Sequence, residues 1–123
     1  MAAIRSAGTG PEVAVRSIVR KLGYRFGTNN AKLPGKPDLV FARRRKVIFV
    51  HGCFWHRHRG CKRATTPSTR IEFWESKLSS NVARDRQTQH ELKNMGWDVL
   101  VVWQCELKEL EILMERLNEF LKG

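Results

Sequence analysis

The sequence has no apolar run long enough to cross a bilayer, because its strongest runs, at 47–50 and 99–103, have the length of β-strands. Residues 1–10 also lack the apolar segment of a secretory signal. We therefore expect a cytoplasmic protein. With 123 residues, 41% of them hydrophobic, the chain is long enough for one packed core and too short for two, which predicts a single domain over 1–123.

Acidic residues are few. Twelve Asp and Glu stand against 23 Lys and Arg, and the formal net charge is +11. A strong positive balance points to a polyanionic partner and favours nucleic acid. Ribosomal and membrane-surface proteins have the same balance, so the charge alone leaves anionic lipid open.

Cysteines are also few, and their odd number, three, is a poor basis for a disulfide framework. Two of them fall in residues 51–61 (HGCFWHRHRGC), together with three of the four histidines and two adjacent aromatic rings. Thiolates and imidazoles this close together are typical zinc ligands, and spare imidazoles can serve acid–base chemistry.

A zinc site is predicted at Cys53, His58, Cys61 and Cys105. The first three are separated by four and two residues. Cys105 follows a predicted third strand, and it completes a tetrahedral shell if that strand lies beside the second. A buried apolar cysteine is the alternative for Cys105.

Periodicity predicts the order α, β, β, α, β, α. A proline at the first turn and an apolar face indicate a helix over 11–22, and a loop over 29–37 leads to strands at 38–42 and 47–51 that pair antiparallel. Apolar residues at helical spacing continue from Ile71 to Met95, a third strand covers 97–103, and a last helix covers 106–121 with Leu107, Leu110, Met114, Leu117 and Leu121 on its apolar stripe. A small sheet covered by helices buries all these faces.

The antiparallel pair has a consequence for chemistry. Asp38 begins the first strand and His51 ends the second, so the pairing brings a carboxylate and an imidazole to one edge of the sheet. A carboxylate there can hold Mg²⁺ on a phosphate, and a neutral histidine can take a proton from water. Asp after Pro is also a common turn former, which is the structural alternative for Asp38.

Five segments resemble the very-short-patch-repair (Vsr) endonucleases. They are residues 33–41 (LPGKPDLVF), 47–56 (VIFVHGCFWH), 72–74 (EFW), 81–85 (NVARD) and 96–105 (GWDVLVVWQC). The resemblance implies a restriction-endonuclease-like α/β core, a small mixed sheet flanked by helices with a structural zinc, and Mg²⁺-dependent nicking of DNA beside a thymine mispaired with guanine.

The resemblance also assigns roles by position. Asp38 matches the metal-binding aspartate, and His51 and His56 match two active-site histidines, of which His56 would activate water. Val50 stands where the pattern has threonine and would still offer its backbone carbonyl to the metal. Glu12 would hold metal-bound water, although an acid in a first helical turn is equally explained by the helix dipole. Asp85 would orient His56.

DNA contacts are implied for a further set. Phe54, Trp55 and Trp74 would wedge between base pairs at the mismatch, with core packing as the alternative. Lys77 and Asn81 would contact the mispair, although a solvated helix face explains them too. Phosphate contacts are expected from Arg57, Arg59, Lys62, Arg63 and Arg70.

The expected partners are T:G-mismatched double-stranded DNA and other mismatch-repair proteins, with the protein acting as a monomer. The family pattern extends further at its N-terminus with a basic stretch that clasps the DNA, so we expect either that this sequence is trimmed there or that its grip on DNA is weaker. Two other functions stay open: a restriction or defence endonuclease of the same fold, and a zinc-containing DNA-binding module without catalysis.

Overall fold

The computed structural model describes residues 10–28, 32–53, 56 and 68–122. The predicted order of helices and strands is confirmed, with one short 3₁₀ helix added. The elements are α1 (Gly10–Lys21), β1 (Leu39–Phe41), β2 (Lys46–His51), α2 (Ile71–Asn94), β3 (Asp98–Trp103), the 3₁₀ helix (Gln104–Lys108) and α3 (Leu110–Lys122).

The sheet is small and mixed, with strand order β1-β2-β3. The antiparallel pairing of β1 with β2 is confirmed, with Leu39 opposite Ile48. β3 runs parallel to β2 over six residue pairs, ending with His51 opposite Trp103, and α2 forms the connection between them. The start of β1 and the ends of β2 and β3 therefore lie at one end of the sheet, where open α/β folds commonly bind ligands.

Helices cover both faces of this sheet. On one face, α1 and α3 pack on a core of Val15, Val19, Leu39, Phe41, Ile48, Val102, Leu113, Leu117 and Leu121. On the other face, Leu92 of α2 joins Leu33, Val40, Val47 and Phe49. Neighbouring β1 residues enter different clusters because successive strand side chains point to opposite faces.

The last helix differs from the prediction. A 3₁₀ helix and α3 replace the single helix over 106–121, and the side-chain carboxylate of Glu106 accepts a hydrogen bond from the Trp103 backbone N–H (2.8 Å) at the break. The buried row of α3 is Leu113, Leu117 and Leu121, whereas Leu110 and Met114 are exposed. Leu117 and Leu121 were part of the predicted stripe and are buried, whereas Leu113 is buried in place of Leu110 and Met114.

The apolar stripe of α2 is also narrower than predicted. Leu78 and Leu92 are its buried residues, whereas Ile71 and Met95 are nearly half exposed. Much of this helix therefore presents polar side chains, which leaves it available to build a site. In the described part of the chain, no helix is both long and apolar enough to traverse a membrane.

The cationic turn between β1 and β2 holds the C-terminal ends of two helices. Arg44 donates to the carbonyl of Leu121 (2.7 Å), Arg45 donates to the carbonyl of Met95 (2.6 Å), and Lys46 donates to the carbonyl of Phe120. Cations are favourable at helix C-termini because unpaired carbonyls and the helix dipole are negative there. These three positive charges are thus explained by the fold rather than by a polyanion.

Candidate active site

A cavity of about 310 Å³ opens at the end of the sheet where β1 begins and β2 ends. Its walls come from α1, the loop before β1, the end of β2 and the middle of α2. The titratable side chains lining it are Glu12, Lys36, Asp38, His51, His56, Arg84 and Asp85. All five residues predicted to be catalytic are in this set.

Asp38 is anchored by the neighbouring strand, because its Oδ2 accepts a hydrogen bond from the backbone N–H of Val50 (2.6 Å). Burial and, to a lesser extent, the charge of Glu12 raise the pKa of Asp38 to about 6, against the lowering effects of the Val50 bond, Arg16 and His56. A buried carboxylate with an acidic neighbour is stabilised by a cation.

Glu12 lies in the first turn of α1 and reaches the same cavity. Its Oε2 is buried and has no hydrogen-bond partner among the described residues. Burying an unpaired carboxylate oxygen is costly. The helix-dipole explanation accounts for the position of Glu12 in the sequence but leaves this inward-facing oxygen unexplained, whereas a cation or a water bound to one would satisfy it.

The two histidines are brought together by a turn after β2. The backbone N–H of His56 donates to the carbonyl of Gly52 (3.1 Å), and the His56 ring stacks on that of His51, with centroids 3.8 Å apart and planes 8° apart. Burial lowers the pKa of His51 to about 4, and the nearby His56 lowers it too, against the raising effect of Asp85. His51 is therefore neutral at pH 7.

Asp85 projects from α2 toward the second histidine, and its Oδ2 lies 2.5 Å from His56 Nδ1. An ionised carboxylate only accepts, so Nδ1 carries the proton. The other ring nitrogen, Nε2, is then the basic atom. A carboxylate that fixes the tautomer in this way is a common support for a catalytic imidazole.

The sequence did not reveal the aromatic surroundings of His51. The ring of Trp103 meets it edge-on at 5.2 Å, and Phe49 lies 5.8 Å away. Trp103 reaches this place through the parallel register that pairs it with His51. Lys36 and Arg84 also line the cavity, and neither was predicted from the sequence. Arg84 follows Asn81 by three residues and precedes Asp85 by one, so helical spacing was a usable signal for it.

Two sets of donors for a metal ion border the cavity. Asp38 and Glu12 offer carboxylate oxygens, the ligands that Mg²⁺ prefers. His51, His56 and Asp85 offer one ligand atom each within 4.8 Å of one another. The anchored Asp38 and the unpartnered Glu12 oxygen fit a hard divalent cation. A role for the Val50 carbonyl stays a prediction.

For the zinc prediction, the structure describes two of the four residues. Cys53 is fully buried and Cys105 is half-buried, and each lies two residues beyond the paired His51 and Trp103. The expectation that the third strand lies beside the second is confirmed. His58 and Cys61 lie outside the described residues.

Some of the residues predicted to contact DNA are described by the structure, and others are not. Phe54, Trp55, Arg57, Arg59, Lys62 and Arg63 lie outside the described residues. Trp74 is half-buried on α2 and meets Phe73 edge-on at 5.2 Å; Lys77 is exposed and Asn81 half-buried. Arg70 is exposed, 4.5 Å above the Phe73 ring. Trp74, Lys77, Asn81 and Asp85 thus follow α2 toward the cavity.

One solved endonuclease domain shares this architecture. The fold is similar to the solved catalytic domain of the homing endonuclease I-Bth0305I, with a TM-score of 0.64 over 92% of this chain and 94% of that one, at 19% sequence identity. At that identity the likeness concerns the fold alone.

Sequence comparison gives the family. Residues 1–63 match the family model described as DNA mismatch endonuclease Vsr. The chain is 49% identical over 121 residues to the type II nicking enzyme V.XorIIP of Xanthomonas oryzae pv. oryzae, covering 98% of this chain and 88% of that one. It is 43% identical over 128 residues to the DNA mismatch endonuclease Vsr of Escherichia coli, covering 100% and 81%. The chain belongs to the Vsr family of DNA endonucleases.

Proposed function

We propose that this endonuclease uses Mg²⁺ to hydrolyse one phosphodiester bond beside a thymine mispaired with guanine. The observation that carries the proposal is the convergence of Asp38, Glu12, His51, His56 and Asp85 on one cavity. The name of the E. coli relative, a mismatch endonuclease, supports the substrate.

In this proposal, Asp38 would hold the ion and Glu12 would hold water beside it. The ion would lower the charge barrier to attack on the phosphate. Asp38 is suited to this task because Val50 fixes the orientation of its carboxylate. Glu12 is suited because its buried oxygen has no partner among the described residues.

The acid–base work falls to the stacked imidazoles. His56, with its Nδ1 proton held by Asp85, takes a proton from the attacking water at Nε2. His51 stays neutral, because burial lowers its pKa to about 4, and it steadies the phosphate or the leaving oxygen by hydrogen bonding.

Recognition of the mispair is assigned to α2 and to the aromatic residues before it in sequence. Wedging an aromatic ring between base pairs costs a few kcal/mol of stacking, and a mispair lowers that cost. We assign this role to Trp74, Phe54 and Trp55, and we assign contacts with the mispaired bases to Lys77 and Asn81. A zinc ion held by Cys53, His58, Cys61 and Cys105 would tie the segment after β2 to the end of β3.

The test is cleavage of two duplexes that differ only in one T:G or T:A pair, each strand carrying its own label, with and without Mg²⁺. We expect nicking of one strand of the mismatched duplex, dependent on Mg²⁺. Cleavage of both duplexes would support the restriction or defence function instead, and binding without cleavage would support a DNA-binding module. Sedimentation of the protein with and without DNA checks the expected monomer.

A further inference from the structure

Lys36 has a backbone conformation that a residue with a side chain rarely adopts. Its φ is +47°, in the left-handed region that favours glycine. It is exposed, it lines the active-site cavity, and it follows Gly35, whose φ is +73°. Glycine would be more stable at such a position, so a strained residue with a side chain indicates that the side chain has a function. Strained positions of this kind are often found at functional sites.

Two other described residues share this conformation, Arg45 and Arg70, with φ of +55° and +54°. Each of them uses its side chain within the protein: Arg45 donates to the Met95 carbonyl, and Arg70 stacks over the Phe73 ring. Lys36 differs, since within the described ranges its ammonium group makes no hydrogen bond or ion pair. The ammonium group of Lys36 therefore lines a cavity without a partner in the described residues, where it is available to bind an anion from outside the protein.

Arg84 brings a second positive charge to the same wall. Gly35 packs so closely on α2 that a Cβ on it would lie 2.4 Å from Thr88 Cγ2, and Arg84 is one helical turn before Thr88. Asn81 Oδ1 accepts a long hydrogen bond from Arg84 Nη1 (3.3 Å), which leaves the other guanidinium N–H groups available. Among the described residues, Arg84 forms no ion pair.

The negative charge of the cavity is the reason that these two cations would matter for DNA binding. Glu12, Asp38 and Asp85 line the same cavity, and a DNA backbone that enters it meets three carboxylates. One divalent ion offsets part of that negative charge. Lys36 and Arg84 stand beside these acids without pairing with them, so their charge is available to phosphate.

We propose that Lys36 and Arg84 form a phosphate-binding pair on one wall of the cavity that seats the DNA backbone beside the bond to be cut. The inference rests on the proposed nuclease function and adds two positioning residues to it. Cations of this kind strengthen binding and fix the register of the backbone without carrying sequence information.

The experiment compares Lys36→Met, Arg84→Met and the double variant in steady-state nicking of the T:G duplex over a salt series. Methionine keeps much of the side-chain length and removes the charge. We expect each single variant to raise KM about tenfold at low salt, to reduce the slope of log KM against log salt by about one, and to change kcat less than threefold.

Arg43→Met is the matched control, because Arg43 is exposed in the turn at the opposite end of the sheet. Values of KM for the cavity variants within twofold of that control would overturn the proposal.

Two further variants distinguish an effect of the lost positive charge from an effect on folding stability. Lys36→Arg is expected to restore KM, whereas Lys36→Gly, which relieves the backbone, is expected to melt no lower than the wild type while losing affinity as Lys36→Met does. A clearly lower melting temperature for Lys36→Gly would mark the side chain as structural and overturn the proposal. If the wild type fails to nick, the proposed function fails, and the Kd for the same duplex without Mg²⁺ still decides on the pair: a tenfold weakening in the Met variants upholds it, and no weakening overturns it.

Discussion

The imidazole of His56 lies parallel to that of His51, with ring centroids 3.8 Å apart and planes inclined by 8°. Two imidazolium rings at this distance repel each other strongly, so the pair accepts one positive charge more easily than two. The surroundings decide which ring stays neutral. His51 is buried between Phe49 and Trp103, and His56 has the carboxylate of Asp85. This difference supports the proposal that His56 transfers the proton and that His51 stays neutral.

Asp85→Asn tests this assignment. Asparagine keeps an oxygen near His56 Nδ1 but cannot stabilise the imidazolium that forms when the ring takes a proton. We expect kcat for nicking to fall by about 10²-fold with KM little changed, and the pH profile of kcat to shift. Glu75→Gln, an exposed acid on the same helix, is the control. A variant that loses affinity for DNA instead of kcat would contradict the orienting role.

The sequence was sufficient to predict the order of elements and the meeting of Asp38 with the end of β2. Both follow from local patterns: apolar alternation sets strands, and an antiparallel pair joined by a short turn has its outer ends together. Similarity to a family added the residues on α1 and α2, which are distant in sequence and which no local pattern connects with β1.

What the sequence could not predict depends on tertiary packing. Contact with the sheet decides that Leu113, rather than Leu110 and Met114, joins Leu117 and Leu121 as the buried residues of α3. The place of Trp103 beside His51 depends on the register of a parallel pair formed across the 24-residue helix α2. The left-handed backbone of Lys36 had no sequence signal, because lysine is an unusual residue for that conformation.

Asp38→Asn should abolish nicking while the fold is kept. The amide oxygen can still accept the hydrogen bond from the Val50 N–H, so the local structure survives, but the negative charge that would hold Mg²⁺ is lost. We expect at least about a 10³-fold loss of rate, with duplex affinity within a few-fold of the wild type. Asp98→Asn, an exposed aspartate at the start of β3, is the matched control. Loss of the circular dichroism signal in Asp38→Asn would instead mark Asp38 as structural.

The pH dependence of stability without Mg²⁺ is expected to be nearly flat around pH 5, because two groups oppose each other. The folded-state pKa of Asp38 is raised from 3.8 to about 6, so the folded state binds the extra proton and stability falls as pH rises through that window. The pKa of His51 is lowered from 6.5 to about 4, so the unfolded state binds the extra proton and stability rises with pH. Each effect is about 3 kcal/mol at most.

Single variants should separate these opposing effects. Without added Mg²⁺, urea denaturation of Asp38→Asn should show the free energy of unfolding rising between pH 4 and 6.5, whereas His51→Gln should show it falling. Parallel curves for both variants and the wild type would show that neither side chain is held in its neutral form by burial.

Cys105→Ser is expected to release zinc and to destabilise the domain. Cys53 and Cys105 occupy equivalent places beyond β2 and β3, so loss of one thiolate would open a tetrahedral shell and remove its contribution to folding. The measurements are the metal content of the purified protein and its melting temperature. Gln104→Ser, in the same 3₁₀ helix, is the control. Unchanged zinc in Cys105→Ser would make Cys105 a packing residue.

Gly35→Ala tests whether the loop that carries Lys36 is fixed by its contact with α2. The substitution places a Cβ in the left-handed region, and that atom would also lie 2.4 Å from Thr88 Cγ2. Thr88 is β-branched and helical, so its methyl group has few other positions.

Gly23→Ala is the matched control, because Gly23 also has a positive φ, +93°, but a Cβ there would meet no atom within 4 Å. We expect Gly23→Ala to lower the free energy of unfolding by about 1 kcal/mol through backbone strain, and Gly35→Ala by roughly 3 kcal/mol through strain and collision. Adding Thr88→Ser to Gly35→Ala removes the colliding methyl and should recover most of the difference between the two alanine variants. Equal losses for Gly23→Ala and Gly35→Ala would show that the loop moves away from α2 without cost, and Lys36 would then have no fixed place at the cavity.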